Sequence, residues 1–172
     1  MNLFDYTGNK KIELVTAKGR AIDNYQVFEF SAYERNKFKD YTSVRFPNTI
    51  FKCSPSPEYN CHGMSFASRR TNIDKSNDIR IILNDDCYEK IDEKQTMIGD
   101  IVLYVSEGDG DIMHSGTIVF AEHKSGDLSH IKVISKWGKY REAIHPVNET
   151  DYNKLSSYRL EYYRLTHTHY EV

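Results

Sequence analysis

The chain is poor in cysteine, and this scarcity limits the chemistry that it can support. Its 172 residues include three cysteines, which are Cys53, Cys61 and Cys87. An odd and low count argues against a disulfide framework, so we expect at least one thiol to be free. The sequence has neither a Cys-x-x-Cys pair nor two close His-Cys pairs, so we predict no metal site and no cofactor.

Long apolar runs and an excess of one charge are also missing. No hydrophobic stretch approaches the ~20 residues that span a bilayer, and the first residues lack the basic and apolar regions of a secretory signal. The formal net charge is −2, which leaves no basic footprint for nucleic acid over the whole chain. We therefore expect a cytoplasmic protein that binds neither membrane nor nucleic acid, unless export uses a route without such a signal. The oligomeric state has no signature in the sequence.

Residues 1–50 are typical of short strands and turns. Ile12–Thr16 and Tyr25–Phe30 are rich in β-branched and aromatic residues, and Lys18-Gly19 between them supplies a turn. We expect this segment to form a strand-rich N-terminal extension or cap. The rest of the chain, residues 51–172, then forms the second unit.

In the second unit, helical patterns come before strand patterns. Lys52–Glu58 contains two prolines and is predicted to be a loop. Asn60 is a suitable N-cap for a helix that begins at Cys61, and a second short helix is expected over Asn84–Ile91. Turns containing Gly and Asp at 108–111 and 124–127 join the later strands, which are predicted at Asp100–Val105, Ser115–Ala121, Ile131–Ser135, Ala143–Val147 and Leu155–Leu165. This order predicts an α+β fold in which the cysteine helix packs on an antiparallel sheet.

Cys61 has the position of a nucleophile. A thiolate is the attacking species, and a free cysteine with a pKa of ~8.5 is mostly protonated at neutral pH. The amino end of a helix favours negative charge and lowers that pKa. Gly63 permits close approach of backbone there, and the N–H of Cys61 is a candidate donor to an oxyanion.

An imidazole must take the thiol proton, and the chain has seven histidines. His114 is the preferred base, because it starts a predicted strand and is followed by three small residues that leave space for a substrate. His62 adjoins the nucleophile, but adjacent positions on a helix point in different directions. Four further histidines lie beside a hairpin turn or near the C-terminus, namely His123, His130, His167 and His169.

A third group is expected to orient the imidazole of His114. The register of the predicted hairpin places Ser135 and its two successors opposite His114. Ser135 can accept a hydrogen bond, whereas the next two side chains only donate. Glu142 and His145 are alternatives if the following strand returns beside the site, so the third member is left open.

Three segments resemble the NlpC/P60 superfamily of papain-like cysteine peptidases and amidases. Tyr59–Ala67 is similar to the segment in which an Asp-Cys-Ser-Gly motif opens the nucleophile helix, with Asn60 and His62 in place of Asp and Ser. Gly99–Tyr104 looks like the Gly-Asp-hydrophobic strand of that superfamily, and His114–Val119 looks like its His-x-Gly-hydrophobic strand. The match covers roughly residues 55 to 148 in the order of its elements.

A later segment is closer to poorly characterised bacterial papain-like domains. It is Ser135-Lys136-Trp137-Gly138, followed by His145 between Ile144 and Pro146. The resemblance implies a papain-like catalytic domain over residues 51–172 and a peptide, protein or peptidoglycan-like amide as substrate. The catalytic set that follows is Cys61, His114, Ser135 and His145, and the substrate-binding set is Tyr59, Asn60, His62, Gly63, Lys136 and Trp137.

The leading expectation is hydrolysis of an amide or peptide bond through a thioester acyl-enzyme on Cys61. The same pair of residues also suits acyl transfer to an amine, or deamidation of glutamine, as in toxins of this class. A third reading is a papain-like module that binds a partner without catalysis. Hydrolysis produces new peptide termini, acyl transfer incorporates an amine, and deamidation releases ammonia. A Cys61 that is no more reactive than Cys53 would indicate the binding module.

Overall fold

The computed structural model describes residues 10–31, 33, 46–122, 130–150 and 157–166. Within these residues the chain forms two helices and a seven-stranded antiparallel sheet, which confirms the α+β class. A 3₁₀ turn at Glu93–Gln95 precedes β3. The elements in chain order are β1 (Ile50–Phe51), α1 (Cys61–Phe66), α2 (Ser76–Asp85), β2 (Tyr88–Ile91), β3 (Ile101–Ser106), β4 (Ile112–Ala121), β5 (Ile131–Lys136), β6 (Glu142–Pro146) and β7 (Tyr158–Leu165).

The sheet has the strand order β1-β6-β5-β4-β3-β7-β2. Strands β3 to β6 follow one another along the chain and are neighbours in the sheet, so they form a meander. The last strand, β7, returns to pair with β3 on one side and with β2 on the other. This arrangement places β4, which carries His114, in the centre of the sheet.

Both faces of the sheet are covered by apolar side chains. Because side chains alternate along a strand, Leu103 of β3 packs with α2 on one face, whereas Tyr104 packs on the other. The first cluster includes Ile79 and Ile82 of α2. All six residues of β3 are buried, as expected of a central strand with both faces covered.

The second predicted helix was placed too late in the sequence. The helix α2 spans Ser76–Asp85, where Ile79, Ile82 and Leu83 have the i, i+3, i+4 spacing of one buried face. Cys87 then adopts a left-handed φ of 60°, which ends the helical path. The residues after it pair with β7 as strand β2, and this pairing partner is distant in the sequence.

The two strands predicted before residue 31 are wrong. This segment makes only isolated bridges, such as Val15 with Ala21, and forms no ladder. The side chain of Asn24 takes the place of a strand partner, because it accepts from the N–H of Ile12 at 3.1 Å and donates to the carbonyl of Ile12 at 3.0 Å. The turn at Lys18-Gly19 is confirmed, with a φ of 77° at Gly19.

The strands β3 to β7 agree with the sequence prediction within a few residues, whereas β1 and the 3₁₀ turn were not predicted. Lys52–Glu58 is irregular, the turn near 108–111 is present, and the final strand is Tyr158–Leu165. The predicted turn at 124–127 lies outside the described residues, as do His123, His167 and His169. In the described part of the chain, no helix has the length and apolar character needed to cross a membrane.

Candidate active site

Asn60 fixes the start of the helix that carries Cys61. Its side-chain oxygen accepts from the N–H of Gly63 at 2.9 Å, which confirms the predicted N-cap. The same oxygen accepts from the N–H of Ile73 at 3.2 Å, and its amide nitrogen donates to the Ile73 carbonyl at 2.8 Å. Asn60 therefore ties the first turn of α1 to the segment that precedes α2.

Gly63 lets a backbone segment of the same protein approach the first turn of α1. A Cβ atom at this position would overlap the carbonyl oxygen of Thr71. The glycine is thus required by close packing of Thr71 against the helix. This contact and the Asn60 cap both join the first turn of α1 to residues 71–73.

Two imidazoles influence the ionisation of Cys61. The residue is 5% exposed, and burial by itself raises the pKa of the thiol. His62 and His114 both interact with the sulfur through charge and hydrogen bonding, and together they hold the pKa of Cys61 well below its ordinary value. The thiolate that nucleophilic attack needs is therefore favoured in this environment.

His62 contacts the nucleophile, although its position next to Cys61 in a helix argued against this. The first turn of α1 is enclosed by protein, with Cys61, His62, Gly63 and Met64 all buried, so charges interact strongly there. Burial disfavours the charged form of His62, but the interaction with the Cys61 sulfur outweighs it and raises the pKa of this imidazole. His62 also lies within hydrogen-bonding distance of Ser115 Oγ, at 2.9 Å, and of the Ile112 carbonyl, at 3.2 Å.

His114 is the third residue of β4 and is fully buried. It pairs across the sheet with Tyr104 of β3, and the two rings lie 5.1 Å apart between centroids. The next residue, Ser115, points to the other face of the strand and meets α1. The charge of His114 contributes to the lowered pKa of Cys61.

Ser135 and His145 form a buried pair on neighbouring strands. Ser135 Oγ lies 2.8 Å from Nε2 of His145, and Nδ1 of His145 lies 2.8 Å from the Pro146 carbonyl. A carbonyl only accepts, so Nδ1 carries the proton. Burial lowers the pKa of His145 to about 3, with the charge of His114 acting in the same direction. His145 is therefore neutral at pH 7, and Nε2 accepts the hydroxyl proton of Ser135.

A cleft of about 390 Å³ opens onto the nucleophile. Its walls come from the start of α1, from the segments around residues 25 and 72–74, from the start of β4, and from the turn after β5. The residues that line it are Tyr25, Asn60, Cys61, His62, Asn72, Asp74, Ile112, Met113, Gly138 and Lys139. Of the ten predicted site residues, Asn60, Cys61 and His62 lie in this wall.

The other predicted substrate-binding residues make contacts within the protein. Lys136 donates to the carbonyls of Ser56, Gly138 and Tyr140 at 2.6, 3.2 and 3.0 Å. Its ammonium also lies 4.9 Å from the centre of the Tyr59 ring. Burial lowers the pKa of Lys136 to about 8. Lys136 therefore joins the loop that precedes α1 to the turn that forms one wall of the cleft.

Tyr59 and Trp137 also make contacts within the protein. The hydroxyl of Tyr59 donates to Glu142 at 2.8 Å. The ring of Trp137 packs edge-on against His145 at 5.3 Å, and against Phe46 and Phe51 on its other sides. Neither ring lines the cleft that reaches Cys61.

Several lining residues were missed by the sequence analysis. Met113 and Gly138 adjoin predicted site residues, so their proximity in sequence was a usable signal. Tyr25 and Asp74 come from distant segments and have no motif. They are joined to the site by hydrogen bonds, since Asp74 accepts from the Tyr25 hydroxyl at 2.7 Å and from Asn60 at 2.9 Å.

Comparisons with known proteins add no relative: no protein-family model, curated protein or solved structure matches the chain. Among the described residues, none of the groupings of His, Cys, Asp and Glu has the geometry to hold a metal ion. None of the three cysteines forms a disulfide.

Proposed function

We propose that this protein is a papain-like cysteine hydrolase that cleaves an amide or peptide bond through a thioester on Cys61. The observation that carries the proposal is the position of Cys61, which lies in the wall of an open cleft and whose thiol pKa is lowered by the charges of two imidazoles. A buried thiol without such partners has a raised pKa and is inert. Here the pKa is lowered instead, and such perturbed groups in a cleft are typical of active sites.

The reaction follows from these groups. The sulfur attacks the carbonyl carbon of the amide, a C–S bond forms, and the carbonyl π electrons move to oxygen. When this intermediate collapses, the C–N bond breaks and the leaving nitrogen takes a proton from an imidazolium. Water then attacks the thioester, gives a proton to the imidazole, and releases the carboxylic acid and the thiolate. His114 is the base in the assignment made from the sequence.

Ser135 is the residue that we assign to orient His114. It pairs with Gly116, two residues along β4 from His114, so both side chains extend from the same face of the sheet. The hydroxyl of Ser135 donates its proton in a hydrogen bond to Nε2 of neutral His145. The lone pairs of Ser135 Oγ are the acceptor that we propose for a ring N–H of His114 during the reaction, although the two side chains form no hydrogen bond in the structure. His145 acts one step further back, because it sets the direction of the Ser135 hydroxyl.

The substrate class remains the one inferred from the sequence, an amide in a peptide, a protein or a peptidoglycan-like polymer. The cleft volume of about 390 Å³ lies near the lower end of the range for small-ligand sites. It therefore suits one or two residues of a chain that extends beyond it. Deamidation and acyl transfer use the same thioester, and the products separate them from hydrolysis.

The test uses p-nitrophenyl acetate as a small acyl donor and iodoacetamide as a small electrophile. The protein should be acetylated on Cys61, as shown by mass spectrometry of the intact chain and its peptides. Iodoacetamide at pH 6 should modify Cys61 at least about tenfold faster than Cys53, because an ordinary thiol is only about 0.3% ionised at that pH. Cys61→Ala should abolish turnover.

Cys53→Ala and Cys87→Ala are the matched controls, and both should retain turnover. Esterase activity that persists in Cys61→Ala would disprove the mechanism. Alkylation of Cys61 no faster than that of Cys53 at pH 6 would instead favour a binding module without catalysis.

A further inference from the structure

Asp74 is the one acid among the described residues that line the cleft beside Cys61. It is exposed and lies in the segment between α1 and α2. Its Oδ2 accepts from the hydroxyl of Tyr25 at 2.7 Å, and its Oδ1 accepts from the side-chain amide of Asn60 at 2.9 Å. Asn60 directly precedes Cys61. One hydrogen bond and one peptide link therefore separate this carboxylate from the residue that carries the nucleophile.

The partners of Asp74 leave its charge uncompensated. A carboxylate has about four acceptor positions on its two oxygens, and each oxygen of Asp74 uses one of them for a neutral side chain. Within the described part of the chain, no lysine, arginine or histidine forms an ion pair with Asp74, and Lys139 in the cleft wall is no exception. Acceptor positions and negative charge thus remain for a ligand that enters the cleft.

Cations that are close to Asp74 in the sequence bind other acids. Lys75 pairs with Asp23 at 2.7 Å. Arg69 pairs with Glu142 of β6, which is buried. The fold therefore directs these two cations away from the cleft and leaves the carboxylate of Asp74 facing the space beside the nucleophile.

Both donors to Asp74 are held in place by other contacts. Tyr25 and Asn72 exchange backbone hydrogen bonds at 3.1 and 2.8 Å, and the Asn72 side chain donates to the carbonyl of Pro57 at 3.2 Å. Asn60 is fixed as the N-cap of α1. The carboxylate is therefore positioned before a ligand arrives, which lowers the cost of binding.

We propose that Asp74 selects substrates that carry an ammonium or guanidinium group on the acyl part, which is the part that becomes bonded to Cys61. The inference rests on the proposed function. The acyl part stays attached to the sulfur in the thioester, so its substituents are the ones that the cleft around the sulfur must hold. The cation donates to the remaining acceptor positions of Asp74 and so directs the carbonyl carbon to the sulfur. Asp74 takes no part in the bond changes.

Two thiol reagents of opposite charge test the inference at the nucleophile itself. 2-Aminoethyl methanethiosulfonate is a cation and 2-sulfonatoethyl methanethiosulfonate is an anion, and both form a disulfide with a thiolate and release methanesulfinate. The rate ratio of cation to anion at Cys61, divided by the same ratio at Cys53, should fall about fivefold in Asp74→Asn, since an exposed ion pair contributes up to about that factor. An unchanged ratio would overturn the inference.

A pair of esters tests the selection of substrates. The p-nitrophenyl esters of Nα-acetyl-lysine and Nα-acetyl-norleucine differ by the ammonium group alone. The unchanged protein should hydrolyse the lysine ester with a kcat/KM about fivefold higher, and Asp74→Asn should remove this preference. Equal kcat/KM for the two esters in the unchanged protein would refute the inference, and this comparison does not depend on a variant folding.

The controls separate the inference from the proposed function. Glu107→Gln removes the same charge from an exposed residue that does not line the cleft, so it should keep both ratios. If Cys61→Ala still turns over the esters, the proposed function fails and the inference fails with it. If Cys61→Ala is inactive but Asp74→Asn keeps the preference for the lysine ester, only the inference is overturned.

Discussion

The buried His145 should make the protein sensitive to acid, and the size of the effect follows from its surroundings. Its pKa is lowered to about 3 in the folded protein by burial, whereas an unfolded histidine titrates near 6.5. Between these values the unfolded chain binds one more proton than the folded one, so stability falls as pH falls. Each pH unit well below 6.5 changes the free energy of unfolding by about 1.4 kcal/mol, and the slope at pH 6.5 itself is half of that, which gives about 2.3 kcal/mol between pH 6.5 and 4.5.

The perturbation that isolates this effect is His145→Gln. A glutamine amide can accept from Ser135 and donate to the Pro146 carbonyl, as the imidazole does, but it does not titrate. Urea unfolding at pH 6.5 and 4.5 should show the unchanged protein losing about 2.3 kcal/mol more than the variant. Equal losses in the two proteins would refute the reasoning. His130→Gln is the control and should behave as the unchanged protein does.

Three further predictions concern the supports of the site. Burial lowers the pKa of Lys136 to about 8, so between pH 8 and 10 the unfolded chain binds more protons than the folded one. The free energy of unfolding should therefore rise by about 1.4 kcal/mol per pH unit relative to Lys136→Met. Urea midpoints that change with pH equally in the two proteins would contradict this. Gly63→Ala should destabilise by about 1–3 kcal/mol in thermal melts through overlap with Thr71, whereas Gly108→Ala, with no atom nearer than 3.9 Å to the added Cβ, should change little. The hydrogen bond from Arg20 lowers the pKa of Asp85, so this carboxylate stabilises the fold above pH ~4 and loses its effect below it. Asp85→Asn should therefore flatten the fall in melting temperature below pH 4, and an unchanged fall would argue against the ion pair.

The sequence was most informative where local chemistry decides the structure. Asn60 before Cys61 predicts a helix start because an N-cap acts within one turn, and the structure has it. The strands β3 to β6 were found because period-2 patterns and Gly/Asp turns are also local. The prolines between Lys52 and Glu58 exclude regular structure for the same reason.

Predictions failed where a distant partner decides the structure. Tyr88–Ile91 has a composition that also suits a helix, and it is a strand because β7 pairs with it. In the N-terminal segment, the side chain of Asn24 takes the hydrogen bonds that a strand partner would have taken. The contacts of Lys136 with three carbonyls of two loops likewise join segments that are distant in the sequence.

The sequence by itself determined the α+β class, the helix that presents Cys61 and the strand that carries His114, since each depends on residues within about one turn or one hairpin. Only the tertiary structure decided which imidazoles reach the sulfur, which walls form the cleft, and that Ser135 meets His145. These contacts join residues far apart in the chain. Burial then changes their proton affinities, and neither the distances nor the burial can be read from neighbouring residues.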